Sequence, residues 1–234
     1  MARALTESQV LERSILTEFR DELWGPFNKA IRRYSLIEPG DRVLTVVRAE
    51  AEALLMAKEL QEYARHSGVG FTALFAAADE AGTEAALRFG LALTELSGEC
   101  QKSAPPVWAK ALSCNKLADV LCMEDVTETV LGQMLYRGVL EACPPMEDSG
   151  TPGVRLIRPL YRTERARLEQ WAQTRGLPCL LRSKPSERER ARVLIERLKQ
   201  ADPHIEVSLF GSVHDVETGT LPGYTSSWGG TSIS

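Results

Sequence analysis

Apolar positions along the chain follow two alternating rhythms. Continuous apolar runs, "RVLTVV" from Arg42, "GFTALFAAA" from Gly70 to Ala78 and "KLADVLC" from Lys116 to Cys122, read as buried strands. Between them apolar residues recur at helical spacing. Leu54, Leu55, Ala57, Lys58, Leu60 and Tyr63 mark a helix from about Ala49 to His66, "DEAGTEAALRFG" a second closed by Gly90, and "PPVWAKALS" a short third that starts on its prolines. A further helix is predicted from about Asp125 to Arg137, "LALTEL" reads as another strand, and "GVRLIRPLY" as an extended piece. "RTERARLEQWAQTRG" is helical, with Thr163 near its N-cap and Gly176 past its end; "SERERARVLIERLKQ" follows with a capping box of Ser186 and Glu189.

Upstream, Thr6 and Gln9 make a capping box before helical spacing that runs to Ser35, broken at Gly25-Pro26, and "EPGD" turns the chain into the first strand. Strands alternating with amphipathic helices predict an α/β fold: a doubly wound, mainly parallel sheet behind a helical N-terminal extension. The expected division is N-terminal helices over 1–35, an α/β domain over 36–212, and a flexible tail over 213–234, loose or docked through Tyr224 and Trp228. In such sheets ligands bind beyond the carboxyl ends of the strands. That places Val47 and Arg48, Ala76 and Ala77, and Cys122 to Asp125 around one expected crevice.

Composition narrows the setting. With 234 residues and 44% apolar content the chain can bury a sizeable core. No apolar run reaches bilayer length and the first residues lack a signal-peptide core, so a cytoplasmic protein with no membrane partner is expected. The five cysteines (Cys100, Cys114, Cys122, Cys143 and Cys179) include no C-x-x-C pair and read as reduced, mostly buried thiols; no metal site is expected. Charge is segregated: residues 155–199 hold thirteen Lys/Arg against five acids, +8, leaving −12 to the rest of the chain. This is the footprint of a polyanion site, or of a solvated helix surface.

The first strand runs with almost no turn into its helix through Arg48, Ala49, Glu50, Ala51, Glu52 and Ala53. A phosphate site at such a junction uses glycine for close backbone approach and a lysine for charge. Here there is neither. Each glutamate near a triphosphate repels it by about 4 kcal/mol per charge pair at about 4 Å and an effective dielectric near 20. That exceeds the roughly 0.3–2 kcal/mol offered by a helix dipole. A bridging divalent ion would reverse the sign.

Four segments in order, "FNKAIRRYSLIEPGDRVL", "CNKLADVLCMEDVTETVLGQMLYRG", "VRLIRPLYRTERARLEQWAQTRGLP" and "RARVLIERLKQADPHIEVSLF", resemble the tRNA 2-thiocytidine biosynthesis proteins of the PP-loop (N-type) ATP pyrophosphatase superfamily, over residues 26 to 212. In that family the first strand ends in a Ser-Gly-Gly-Lys-Asp-Ser loop holding ATP, which differs here at every position from Arg48 to Ala53. The family's Gly-His-His and following Asp-Asp-x-x-Glu-Thr become "VLCMEDVTET": Asp125, Glu128 and Thr129 remain as a residual motif, also suited to a plain helix start. Of the family's cluster cysteines, Cys100 matches one position, Ser103 stands at the next, and Cys179 lies near the third.

The resemblance therefore implies a degenerate homologue, without ATP pyrophosphatase activity, serving as a binding or regulatory protein. No cofactor and no iron–sulfur cluster are expected; ATP and Mg²⁺ enter only under the alternative, an active ATP-dependent tRNA-thiolating enzyme with a divergent loop. The basic region corresponds to one near the substrate tRNA in the family, which makes Arg182, Lys184, Arg188, Arg190 and Arg192 RNA-binding candidates and tRNA or another polyanion the expected partner of residues 155–199. A homo-oligomer, or pairing with an active family member, is the other partner expectation.

Overall fold

A computed structural model describes residues 5–179 and 187–216, so Arg182, Lys184, Ser186 and the tail beyond Val216 lie outside the described residues. The described residues divide into two compact units, residues 5–126 with 143–179, and residues 127–142 with 187–216.

The first unit opens with helix α1 (Glu7–Arg13), where Thr6 and Gln9 form the expected capping box. The break expected at Gly25-Pro26 falls earlier. Two π-helical turns, Ser14–Glu18 and Arg20–Trp24, meet at Phe19, and Gly25 and Pro26 instead begin α2 (Gly25–Arg33). Proline suits that place, because a first-turn residue has no intrahelical N–H bond to lose. The buried Ser14 hydroxyl accepts the Trp171 indole N–H at 2.9 Å, so a distant side chain pins the widened turn.

The remaining elements are β1 (Arg42–Val47), α3 (Ala51–His66), β2 (Thr72–Ala77), α4 (Glu80–Arg88), α5 (Gly98–Gln101), α6 (Pro105–Ala111), β3 (Lys116–Ala118), α7 (Met123–Arg137), β4 (Met146–Asp148), β5 (Arg155–Ile157) and α8 (Arg165–Arg175). The sheet order is β2-β1-β3-β5-β4. It is parallel from β2 to β5, with Val47 opposite Ala77 and Thr45 opposite Ala118; β4 pairs antiparallel with β5. The α/β fold with a mainly parallel sheet is thus present.

Two strand expectations are corrected. "LALTEL" makes a single parallel bridge, Leu93 to Phe75, and "KLADVLC" stays in the sheet only to Ala118. Strands that short lean on their neighbours for hydrogen bonds, which an apolar pattern does not report.

Leu44, Ala76 and Leu117 pack on one sheet face under Trp108 and Ala109 of α6. The pleat turns Val43, Thr45 and Val47, all fully buried, to the face on which α3 packs. Helix α3 is covered nearly all round, because α1 and α2 close the side away from the sheet; Phe27 and Tyr63 meet edge to face at 5.8 Å. Its buried Lys58 ammonium donates to Gln61 Oε1 at 2.6 Å and the Phe89 carbonyl at 3.3 Å. Glu59 is fully buried with neither carboxylate oxygen hydrogen-bonded, and burial pushes its carboxyl well above the ordinary range.

The second unit holds the later turns of α7, then α9 (Glu187–Ala201) and α10 (Ile205–His214). Glu206 of α10, buried, accepts from Lys199 of α9 at 2.8 Å.

Candidate functional site

At the end of β1 the chain passes through exposed Arg48 into α3 with extended backbone at Glu50, whose side chain makes no cap. The first amide of α3 is nonetheless satisfied: Ala51 N–H donates to the Pro178 carbonyl at 2.7 Å. In a phosphate-binding turn that amide faces the ligand. Here another stretch of the chain covers it.

Glu52 follows, only 2% exposed. A carboxylate so far from water needs a partner, and Arg165 provides it. The guanidinium, 10% exposed, lies 3.7 Å from Glu52 and 2.5 Å from Asp125. Asp125 also accepts the Cys122 N–H at 2.8 Å, and both oxygens of Glu124 accept the Arg165 backbone N–H, at 2.8 and 2.9 Å. Glu124 thus caps α8 from a distance, which explains why Glu164 at the cap and the expected Thr163 do not; the Thr163 hydroxyl is buried without a hydrogen bond. The starts of α3, α7 and α8 are stitched together by this ion-pair group.

Sequence reasoning missed Glu124 and Arg165 as a pair. The available signal was an arginine at the first position of a helix, where the macrodipole disfavours positive charge.

Beyond the strand ends lies a cavity of about 240 Å³, lined by Val46, Arg48, Glu50, Glu52, Asp119 and Val120 with parts of α3, β3 and Pro105. It is smaller than the roughly 300–1,000 Å³ of ordinary ligand pockets. Arg48 is its lining cation. Glu50 Oε2 is buried and accepts no hydrogen bond, so the charge facing a ligand from the bend is that of Glu50, while Glu52 is compensated by Arg165. The crevice expected to join three strand ends is narrower than that. Ala76 packs under α6, and the Val47 carbonyl accepts Ala78 N–H at 2.9 Å and abuts Gly82, which closes the β2 side. Cys122 is fully buried and does not line the cavity.

The residual motif is shared between the units. Asp125 belongs to the Arg165 group, whereas Glu128, 4% exposed, faces Arg188 of α9 at 3.4 Å. Thr129 lines a notch of about 380 Å³ in the second unit with Gly132, Gln133, Arg137, Glu187 and Arg188.

The basic segment is also heterogeneous. Arg158 and Arg165 are interior, Arg158 bonded to Glu147 and the Pro144 carbonyl with Asp119 at 3.6 Å. Arg175 pairs with Glu18, and Arg192 with Glu189 at 2.9 Å. Arg188 keeps 46% of its side chain exposed, and the exposed Arg190 lies 4.4 Å over the Tyr136 ring.

Among the described residues no three His, Cys, Asp or Glu converge as a metal site, and no helix is long and apolar enough to cross a membrane. Burial pushes the Cys122 thiol well up and the Cys179 thiol up, and both sense the charges of Arg165 and Glu52.

No family model matches the chain. A stretch of 117 residues is 33% identical to the tRNA-cytidine(32) 2-sulfurtransferase of Syntrophotalea carbinolica, spanning 47% of this chain and 44% of that relative. The chain therefore covers less than half the length of that protein. The relative of the same name from Geotalea daltonii is 24% identical over 226 residues, 81% of this chain and 89% of the relative. Among solved structures, the U34-tRNA thiolase NcsA from Methanococcus maripaludis matches with a TM-score of 0.57 and 14% identity, over 82% of this chain and 77% of that one. These similarities bear out the resemblance to the tRNA 2-thiocytidine proteins and the PP-loop fold. They also correct one expectation. The structure that shares the fold carries a 4Fe–4S cluster, so the expectation of no cofactor and no iron–sulfur cluster is withdrawn.

Proposed function

We propose that this chain is a tRNA-binding homologue of the 2-thiocytidine-forming enzymes in which ATP pyrophosphatase activity has been lost. One observation carries the reading. The turn where the family holds the nucleotide's phosphates is closed from within, its first amide taken by Pro178 and its buried Glu52 locked to Arg165. Opening it to a triphosphate takes the guanidinium from the buried Glu52 and the half-buried Asp125, at about 3–5 kcal/mol for a broken buried pair. An approaching phosphate also meets Glu50 with Arg48 as the compensating cation. Both costs oppose pyrophosphate release.

RNA binding draws its support from elsewhere. The relatives are named for action on tRNA, and Arg188 and Arg190 keep exposed charge on α9. Phosphate contacts need only charge and reach, so they outlast a catalytic turn. The test is fluorescence anisotropy of labelled tRNA over a salt series. Affinity that falls steeply with salt, and falls again on charge reversal at the exposed Arg190 with unchanged melting, supports the reading. Absence of tRNA binding at low salt ends it.

The second reading, an active ATP-dependent thiolating enzyme with a divergent turn, is favoured by the relatives' names and by Asp125 at the start of α7. Its mark is pyrophosphate release that depends on tRNA and disappears in Asp125→Ala.

A further inference from the structure

The second unit contains an arrangement that neither the turn nor the charge count explains. The last turns of α7 turn outward an aromatic ring and apolar side chains: Tyr136 is 42% exposed, Met134 51% and Leu135 52%. Arg190 of α9 lies 4.4 Å over the Tyr136 ring. Beside this stack is the notch of about 380 Å³ between the two helices. Arg137, its side chain 62% exposed, faces Glu187 at 3.2 Å across it. Gly132 lines the notch without a side chain, and a Cβ there would meet the Glu187 backbone at an ordinary 3.6 Å, so packing does not demand glycine.

We propose that this surface binds an unpaired nucleotide of an RNA loop, the base stacked on the Tyr136–Arg190 pair and the adjoining phosphate held in the notch by Arg137 and Arg188. The inference rests on the tRNA reading above and deepens it by naming the part of the RNA that is held. Single-strand sites combine a cationic groove with an aromatic face, because every base offers a π-face once it is out of a duplex. A guanidinium on a ring extends that platform. The present partners do not bar a phosphate: the Arg137–Glu187 pair is exposed, and such pairs contribute little. Arg188, tied to the buried Glu128, is the more fixed of the two cations and orients the phosphate. A duplex offers phosphates but no free base face. The site therefore discriminates loops from helices, which charge alone does not.

The experiment compares, with the full chain, a labelled tRNA anticodon-arm hairpin and a fully paired duplex of the same length by anisotropy at fixed salt. The hairpin is expected to bind about tenfold more tightly, and Tyr136→Ala to remove about that factor from the hairpin alone, the range of one base stacked on an aromatic ring. Tyr136→Phe should keep the preference, and Arg137→Ala should weaken both RNAs. Equal affinities for hairpin and duplex, or a Tyr136→Ala variant that binds the hairpin normally, overturn the proposal while leaving tRNA binding intact. A chain that binds neither RNA overturns this proposal and the tRNA reading together. Loss of self-association in Tyr136→Ala by light scattering, with RNA affinities unchanged, assigns the apolar face to a second copy of the chain and overturns it too.

Discussion

Two strand-to-helix turns lie at the same end of the sheet in the first unit, and they are built on opposite plans. The β2–α4 turn supplies its own cap: Asp79 accepts Gly82 N–H at 2.7 Å, and Gly82 is pressed against the Val47 carbonyl, where a Cβ would come within 2.5 Å. The β1–α3 turn has no side-chain cap and no glycine, and borrows both satisfactions from far along the chain, the Pro178 carbonyl for Ala51 and Arg165 for Glu52. The Asp79 cap joins residues three apart and is local. The borrowed one exists only when the fold is complete. The family turn that holds a nucleotide is the second kind of place, with a ligand as the outside partner; here the outside partner is protein.

Arg165 carries most of the contrast between the two turns. Replacing it with leucine removes the guanidinium from the buried Glu52 and the half-buried Asp125, so a loss of about 3–5 kcal/mol is expected by chemical denaturation. A loss below about 1 kcal/mol would mean the group is not what closes the turn. Further along α3, Glu59→Gln should act in the opposite direction. Its carboxyl is raised well above the ordinary value by burial, so the folded state binds a proton that the unfolded chain has released. The folded chain thus loses stability as pH rises above the ordinary glutamate range, and the variant should flatten that slope in a melting series from acid to neutral pH. An unchanged slope would place the titration elsewhere.

Smaller effects separate the turns themselves. Gly82→Ala forces a methyl into the Val47 carbonyl and should cost about 1–3 kcal/mol. Asp79→Ala removes a true cap, at about 1 kcal/mol. Glu50→Ala, at the equivalent position of the other turn, removes no cap and should stay within about 0.5 kcal/mol of the parent. If Glu50→Ala costs as much as Asp79→Ala, the contrast between the turns is void.

The same division explains what could be read in advance. Apolar runs and local punctuation placed β1, α3, β2, α4, α6 and α8 in order, because capping boxes, prolines at helix starts and Gly176 in the left-handed region act within a few residues. The β4–β5 hairpin, the π-helical turns pinned by Trp171 and the capping of α8 by Glu124 depend on partners far along the chain, and no local pattern carries them. At the site, the absent glycine and lysine were visible at once. That one of the two glutamates is ion-paired is not visible there, because a charge count leaves Arg165 among the basic residues offered to a polyanion. Charge counts register what a segment contains, while burial decides which of those charges a partner meets.

A turn closed by the protein's own carbonyl and guanidinium is expected to perform no pyrophosphatase chemistry. The most direct test is pyrophosphate release from ATP–Mg²⁺ in the presence of tRNA, run on protein reconstituted anaerobically with iron and sulfide so that a missing cluster does not decide the outcome. Release at the level of the protein-free control is expected. Sustained release that requires tRNA and is abolished by Asp125→Ala would contradict it.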